Sequence, residues 1–155
     1  MDRKEIAVTL HQNHFNCAQC IVCAFSNVLG ADAIQAFKMA EALGLGMGSM
    51  GTCGCLTAAA MMVGMKKSDG DLDNPRTRRQ CYMTMQMITR EFEEKFGSTI
   101  CAELKSGKDE NGEDKDLFSC NDRISYTVEM LDRHLLGISD GENEIRVIKN
   151  PHAKF

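Results

Sequence analysis

Eight cysteines are the residues of this chain best suited to chemistry. Thiolates bind zinc and iron–sulfur clusters, and pairs of thiols carry electrons by forming and breaking disulfide bonds. In a reducing compartment, cysteines in this number are more often metal ligands or redox groups than a structural disulfide framework. The composition therefore predicts a metal or redox site, and the spacing must indicate which cysteines share it.

Four cysteines lie in or beside the first turn of a predicted helix, each in a different one: Cys17, Cys53, Cys101 and Cys120. Helix N-termini carry partial positive charge and spare N–H donors, which lower the pKa of a thiol and stabilise a thiolate or an anionic cluster. A single buried cysteine is commonly just a small hydrophobic residue. Four at helix starts predict a cysteine-lined pocket if the fold brings those helix ends together.

The segment CAQCIVC over residues 17–23 matches the first three ligands of a bacterial ferredoxin run. It then departs from that pattern, because Asn27 stands where the fourth cysteine belongs and no proline follows. In a helix Cys17 and Cys20 would share a face, whereas Cys23 would lie about 120° away from Cys17. We therefore expect Cys23 in the core and keep Cys20 as an additional candidate ligand.

Two further cysteines have weaker patterns. Cys81 belongs to an apolar stripe of a long predicted helix, which is typical of core packing. Cys55 lies two residues after Cys53 at the end of a glycine-rich loop, so it is a second additional candidate.

Several other chemistries are excluded by sequence. Neither CxxC is followed by histidine, since Ile21 and Ala24 take those positions, so covalent haem attachment is not expected. The four histidines have no zinc-finger spacing, and the glycine loop lacks the GK[ST] ending of a phosphate-binding loop. A net charge of −4 with one short arginine cluster over residues 76–79 argues against a nucleic-acid partner.

The segments that must position the cysteines have helical periodicity. They predict an all-α fold, a single helical domain over residues 1–155 with about five to seven helices. Trp is absent, Pro is limited to two and Met reaches eleven, whereas strands would need more β-branched and aromatic residues. Asn16 with Gln19 predicts a capping box, and so does Ser119 with Asp122. The predicted helices cover residues 2–13, 16–29, 32–43, 56–66, 75–96, 98–106 and 119–136.

Several boundaries rest on single residues. We expect Thr52 to cap the fourth helix, and Asn74 followed by Pro75 to start the fifth. Gly97 is the expected C-cap of the fifth helix, and residues 107–116 read as a charged surface insertion. The charged N-terminus leads into no long apolar run, which predicts neither a signal peptide nor a membrane span and indicates a cytoplasmic protein.

The loop GLGMGSMGTCGC over residues 44–55 contains five glycines and two cysteines. Glycines at this density leave a backbone mobile unless something holds it. Bare backbone also lets amide N–H groups come close to sulfur, and such hydrogen bonds tune a metal centre. We expect the loop to wrap around the contents of the cysteine pocket.

Local sequence around the four helix-start cysteines resembles the C_GCAxxG_C_C family of redox-active proteins over about residues 10–135. The similarity lies in Phe15-Asn16-Cys17-Ala18-Gln19, in Gly51-Thr52-Cys53-Gly54, in the run from Phe96 to Leu104, and in the isolated Cys120. The resemblance implies an all-helical domain whose shared cysteines are Cys17, Cys53, Cys101 and Cys120. The chain departs from the family motif Cys-Gly-Ala-x-x-Gly by having Cys55 for Ala and Ala58 for the second Gly.

The family is also similar to the non-haem part of split-Soret cytochromes, which implies an iron–sulfur cluster as one occupant. Our first hypothesis is an electron-transfer protein with such a cluster on Cys17, Cys53, Cys101 and Cys120 and a redox partner protein. The second is a thiol–disulfide oxidoreductase that uses the same cysteines. The third is a structural Cys₄ zinc site. The sequence leaves a homodimer open.

Overall fold

The computed structural model describes residues 1–106 and 118–138, and in these ranges it contains seven α-helices and no strand. The predicted all-α fold is confirmed. None of the helices within those ranges is both long and apolar enough to cross a bilayer. The charged insertion predicted at 107–116 lies outside the described residues. The helices are α1 (Arg3–Gln12), α2 (Cys17–Ser26), α3 (Ala33–Ala40), α4 (Gly54–Lys67), α5 (Arg78–Phe96), α6 (Cys101–Lys105) and α7 (Cys120–Leu131).

Both predicted capping boxes are present, and each fixes the start of a cysteine-bearing helix. The Asn16 Oδ1 atom accepts a hydrogen bond from the Gln19 N–H at 2.9 Å, and the Gln19 side chain accepts one from the Asn16 N–H at 3.1 Å. Ser119 and Asp122 exchange the same pair of bonds. Since a capping box satisfies two N–H groups that the helix leaves unpaired, it determines which residue begins the helix.

Three helix starts differ from the prediction: α6 begins at Cys101 and not at Ser98, and the starts of α5 and α4 differ for reasons that can be identified. Helix α5 begins at Arg78, with Thr77 as N-cap, because Asn74 is held in the preceding turn by its N–H bond to the Asp71 carboxylate. Helix α4 begins at Gly54, with Cys53 as N-cap, because the expected cap residue Thr52 forms an antiparallel bridge with Ile100. The differences at α5 and α4 arise from contacts outside the local capping pattern.

Some helix ends also differ from the prediction. Helix α2 ends at Ser26, earlier than Leu29, and α3 gives way to a 3₁₀ turn over Glu41–Leu43. Helix α7 continues into a π-helical turn over Asp132–Leu136. Gly97 ends α5 with φ +84°, a left-handed conformation that glycine adopts without a steric cost, as predicted.

The core forms around α2, which packs against α1, α3, α4 and α7. Helix α5 adds a narrow apolar stripe, in which Ile88 and Phe92 are buried while Cys81, Met85 and Phe96 are partly buried against the core. Burial of these side chains supplies the main favourable free energy of folding. The largest fully buried side chains are Phe25, Phe92, Ile21, Met62, Ile88, Ile124, Met130 and Leu131.

Asn16 makes a second bond that ties α2 to the chain before the glycine loop, because its Nδ2 donates to the Glu41 carbonyl at 2.8 Å. We expect Asn16→Ala to lower the free energy of unfolding by about 1–2 kcal/mol, through loss of the cap and of this tie. Asn16→Asp keeps the capping oxygen and loses only the donor, so it should cost less. Urea unfolding curves measure both changes. Equal losses in the two variants would show that the cap contributes nothing.

Candidate functional site

Five cysteines line one cavity: Cys17, Cys53, Cys55, Cys101 and Cys120. Side chains of Leu45, Leu104, Lys105 and Arg123 and the backbone of Gly54 complete its wall. The set contains all four cysteines predicted from helix starts and one of the two additional candidates. All five are free thiols.

Four of these five sulfurs belong to residues at the start of a helix. Cys17, Cys101 and Cys120 are the first residues of α2, α6 and α7, and Cys53 is the N-cap of α4. The positive ends of four helices therefore meet at the cavity, where they favour negatively charged sulfur. Backbone N–H groups of Leu45 and Ala18 also donate to the Cys17 sulfur and lower its pKa.

A short backbone bridge holds Cys53 beside Cys101. The Cys53 N–H donates to the Thr99 carbonyl at 2.8 Å, and the Cys101 N–H donates to the Gly51 carbonyl at 2.7 Å. Thr52 and Ile100 form the antiparallel pair between these two bonds. Two segments distant in sequence are thus joined at the residues that begin α4 and α6.

The glycine loop is held by its own backbone. Four successive residues, Leu45 to Gly48, have positive φ and form one turn of left-handed helix, closed by a 3.0 Å bond from the Gly51 N–H to the Gly46 carbonyl. A Cβ at Gly46 would lie 2.5 Å from the Gly51 nitrogen, so only glycine fits there. Left-handed φ is unfavourable for Leu45 and Met47, by about 1–2 kcal/mol each. The turn brings the Leu45 N–H to the Cys17 sulfur.

Gly54 lets α4 begin directly against α2. A Cβ at this position would lie 2.5 Å from the Cys17 Sγ and 3.0 Å from the Leu43 carbonyl oxygen. Any larger residue would therefore push the Cys17 sulfur out of its place in the cavity wall.

Cys55 connects two of the other sulfurs by hydrogen bonds. It is 1% exposed, and its side chain bonds to both Cys17 and Cys53. The bond from Cys55 is the main reason why the pKa of Cys17 falls to about 6 and why the pKa of Cys53 is lowered. The pKa of Cys55 itself is raised well above its usual value by these bonds and by burial. Cys55 therefore stays protonated, and its S–H group donates hydrogen bonds to the neighbouring thiolates.

The remaining two pocket cysteines have different partners. The Cys101 Sγ donates to the Met50 Sδ at 3.9 Å, and burial raises the pKa of Cys101. The Cys120 Sγ accepts a hydrogen bond from the Arg123 guanidinium at 3.2 Å. The cavity thus contains sulfurs in several electrostatic environments.

Arg123 and Lys105 are cavity residues that the sequence prediction missed. Arg123 follows Cys120 by three residues and Lys105 follows Cys101 by four, which places each cation on the same helix face as a cysteine. That spacing was the available signal. Both cations add positive charge to a cavity whose wall is rich in sulfur.

Three cysteines do not line the cavity. Cys20, the other additional candidate, is fully buried and its Sγ donates to the Phe15 carbonyl at 3.7 Å. Burial raises the pKa of Cys20 to about 12 and that of Cys23 to about 11, so both stay neutral thiols. Cys81 packs on the core from α5.

The donor set of the cavity consists of cysteine sulfurs, the ligand type of both zinc sites and iron–sulfur clusters. Among the described residues, no three Cys, His, Asp or Glu side chains are arranged to hold one metal ion. A tetrahedral zinc site needs sulfurs about 3.8 Å apart, given Zn–S bonds of about 2.3 Å. Cysteines that bind different irons of one cluster stand farther apart around a shared cavity. Four cysteine sulfurs around one cavity are also the number and type of ligands that an iron–sulfur cluster takes.

Gly54→Ala tests the close packing at Cys17. We expect it to destabilise the fold by about 1–3 kcal/mol, because a methyl group is forced against the Cys17 Sγ and the Leu43 carbonyl. Gly64→Ala, in the same helix, meets nothing within 4 Å and should instead stabilise by about 0.5–1 kcal/mol through helix propensity. Thermal unfolding of both variants checks this. A stable Gly54→Ala protein would contradict the described contact.

Cys55→Ala tests the hydrogen-bonded sulfurs. Because the variant removes the donor that stabilises the Cys17 thiolate, we expect the pKa of Cys17 to rise from about 6 toward the usual thiol range. The pH dependence of Cys17 alkylation in the reduced protein, followed by peptide mass spectrometry, measures it. Cys81→Ala is the control and should leave the profile unchanged. An unshifted profile in Cys55→Ala would refute the role of Cys55.

Comparison with known proteins identifies a family for this chain. The family model described as "Putative redox-active protein (C_GCAxxG_C_C)" matches residues 15–134, a span that includes all five cavity cysteines. Neither a search of curated proteins nor a search of solved structures gave a match. The match covers most of the chain, so the chain belongs to the C_GCAxxG_C_C family of redox-active proteins.

Proposed function

We propose that this redox protein transfers electrons through an iron–sulfur cluster held by Cys17, Cys53, Cys101 and Cys120. The convergence of these four thiols on one cavity carries the proposal. Four cysteines are the usual ligand set of both [2Fe–2S] and [4Fe–4S] clusters. A cluster in this position would supply one-electron storage, and the protein would supply the ligands, their orientation and the surrounding charge.

The electrostatics of the cavity wall support an anionic occupant. Four helix N-termini, the N–H groups at the Cys17 sulfur and the cations Lys105 and Arg123 all favour negative charge there. Hydrogen bonds to sulfur and local net charge are the protein's means of setting a cluster potential. The left-handed turn contributes one of these donors, which gives the glycine loop a function beyond chain reversal.

A second candidate, thiol–disulfide exchange, is favoured by the hydrogen bonds of Cys55. The Cys17 thiolate would attack one sulfur of a substrate disulfide and release the other sulfur as a thiolate. Cys55 would then pass its proton to the substrate thiolate released in the first step and attack the Cys17 sulfur, which releases the second substrate thiolate. The protein is left with one disulfide, and two electrons have passed to the substrate. Among the described residues, the structural zinc hypothesis has no comparable supporting contact.

Electron transfer requires a redox partner protein that reaches the cavity. The exposed side chains of Leu45 and Met47 lie on the loop that borders the cavity, so we propose that the partner docks at this edge. As part of the same proposal we place the protein in the cytoplasm, because a reducing compartment maintains free cysteines.

Anaerobic purification followed by an absorption spectrum and iron and sulfide analysis tests the proposal. The cluster predicts a brown protein with stoichiometric iron and sulfide, bleached by chelator. Single Ser substitutions of Cys17, Cys53, Cys101 or Cys120 should strongly reduce iron retention. Cys81→Ser and Cys23→Ser are the controls and should retain iron while losing some stability, because each places a hydroxyl in an apolar site.

The alternatives give opposite results in the same experiment. A thiol oxidoreductase would be colourless and indifferent to chelator, and Cys17 and Cys55 would disappear together on mild oxidation. A zinc protein would be colourless and would release zinc when its thiols are blocked. Colourless, metal-free protein that stays so after reconstitution with iron and sulfide would overturn the cluster proposal.

A further inference from the structure

Among the residues that the structure describes, two arginines are almost fully buried, and they differ in their partners. Arg3 is 3% exposed, and its Nε donates to the Asp132 carboxylate at 2.9 Å. Arg123 is 4% exposed and pairs with no carboxylate among the described residues. Its Nη1 donates to the Phe118 carbonyl at 2.8 Å, and its Nη2 donates to the Cys120 Sγ at 3.2 Å.

A guanidinium remains charged at every pH a protein experiences. Burying such a charge is unfavourable unless an opposite charge or hydrogen bonds compensate it. The Phe118 carbonyl satisfies part of the hydrogen-bonding capacity but carries no net charge. Among the described residues, the Cys120 sulfur is the one hydrogen-bond partner of Arg123 that can become negative, so the sulfurs of the cysteine cavity are the available source of compensating charge.

We propose that Arg123 is a positioning residue that sets the reduction potential of the cysteine site by stabilising its reduced, more negative state. This inference rests on the proposed redox function. The direction in which Arg123 shifts the reduction potential is the same for both candidate chemistries. Reduction of a cluster adds one electron to the cavity. Reduction of a disulfide adds two electrons and leaves two sulfurs that can be thiolates. In each case negative charge increases beside the guanidinium, which favours reduction.

The test compares Arg123→Gln, Arg123→Lys and the matched control Arg90→Gln, which removes the same charge from the exposed face of α5. The anaerobically purified proteins are titrated potentiometrically if coloured, or equilibrated with glutathione redox buffers if colourless. Arg123→Gln should shift the equilibrium toward the oxidised state about tenfold, which is about 59 mV for a one-electron couple and about 30 mV for two electrons. Arg123→Lys should recover at least half of that shift, and Arg90→Gln should show none.

The outcomes separate this inference from the function on which it rests. If wild-type protein has a redox couple and its reduction potential is the same in Arg123→Gln, the role of Arg123 is overturned and the redox function stands. A shift of equal size in Arg90→Gln overturns it as well, because the effect would then come from net charge alone. A wild-type protein with no couple overturns the redox function and this inference together.

A second measurement needs no variant and so does not depend on whether Arg123→Gln folds. In the reduced wild-type protein, freed of metal by a chelator, Cys120 is alkylated with iodoacetate, which is anionic, and with iodoacetamide, which is neutral. The adjacent guanidinium attracts the anionic reagent. The ratio of the iodoacetate rate to the iodoacetamide rate should therefore be about fivefold higher in native protein than in urea-unfolded protein. Equal ratios in native and unfolded protein would contradict a positive charge acting at the Cys120 sulfur.

Discussion

The two hydrogen bonds that join residues 51–53 to residues 99–101 are the constraint on which the candidate site depends. They place the start of α4 beside the start of α6, and so fix Cys53 next to Cys101. The capping boxes of α2 and α7 set the other two cysteines at their own helix starts. Packing of α2 against both α4 and α7 then brings all four starts to one cavity. The chemistry of the site is therefore a consequence of where helices begin.

Local signals in the sequence are sufficient to predict the helices and to select four of the five cysteines that line the cavity. Capping boxes at Asn16 and Ser119 are complete within four residues, so no tertiary contact is needed to recognise them. The start of α4 was wrong, because Thr52 pairs with a residue far along the chain and such pairing has no local signature. The left-handed turn at Leu45 and Met47 was not predicted either, since neither residue favours positive φ.

Charge distribution explains why the cavity residues could be predicted only in part. Cys55 and Arg123 acquire their roles from burial and from neighbours on other parts of the fold. Cys55 adds a fifth sulfur to the cavity and hydrogen-bonds to both Cys17 and Cys53. Arg123 places a fixed positive charge beside Cys120. Together they let a buried group of thiols carry negative charge that apolar surroundings would otherwise suppress.

The central claim is that cysteines from four helix starts form one redox centre. Anomalous diffraction at the iron absorption edge, from crystals grown anaerobically, tests it most directly because it locates iron relative to each sulfur. We predict anomalous density in the cavity, within bonding distance of the Cys17, Cys53, Cys101 and Cys120 sulfurs, with Arg123 still in contact with Cys120. Iron bound elsewhere, or these sulfurs separated from one another with no shared ligand, would contradict the account.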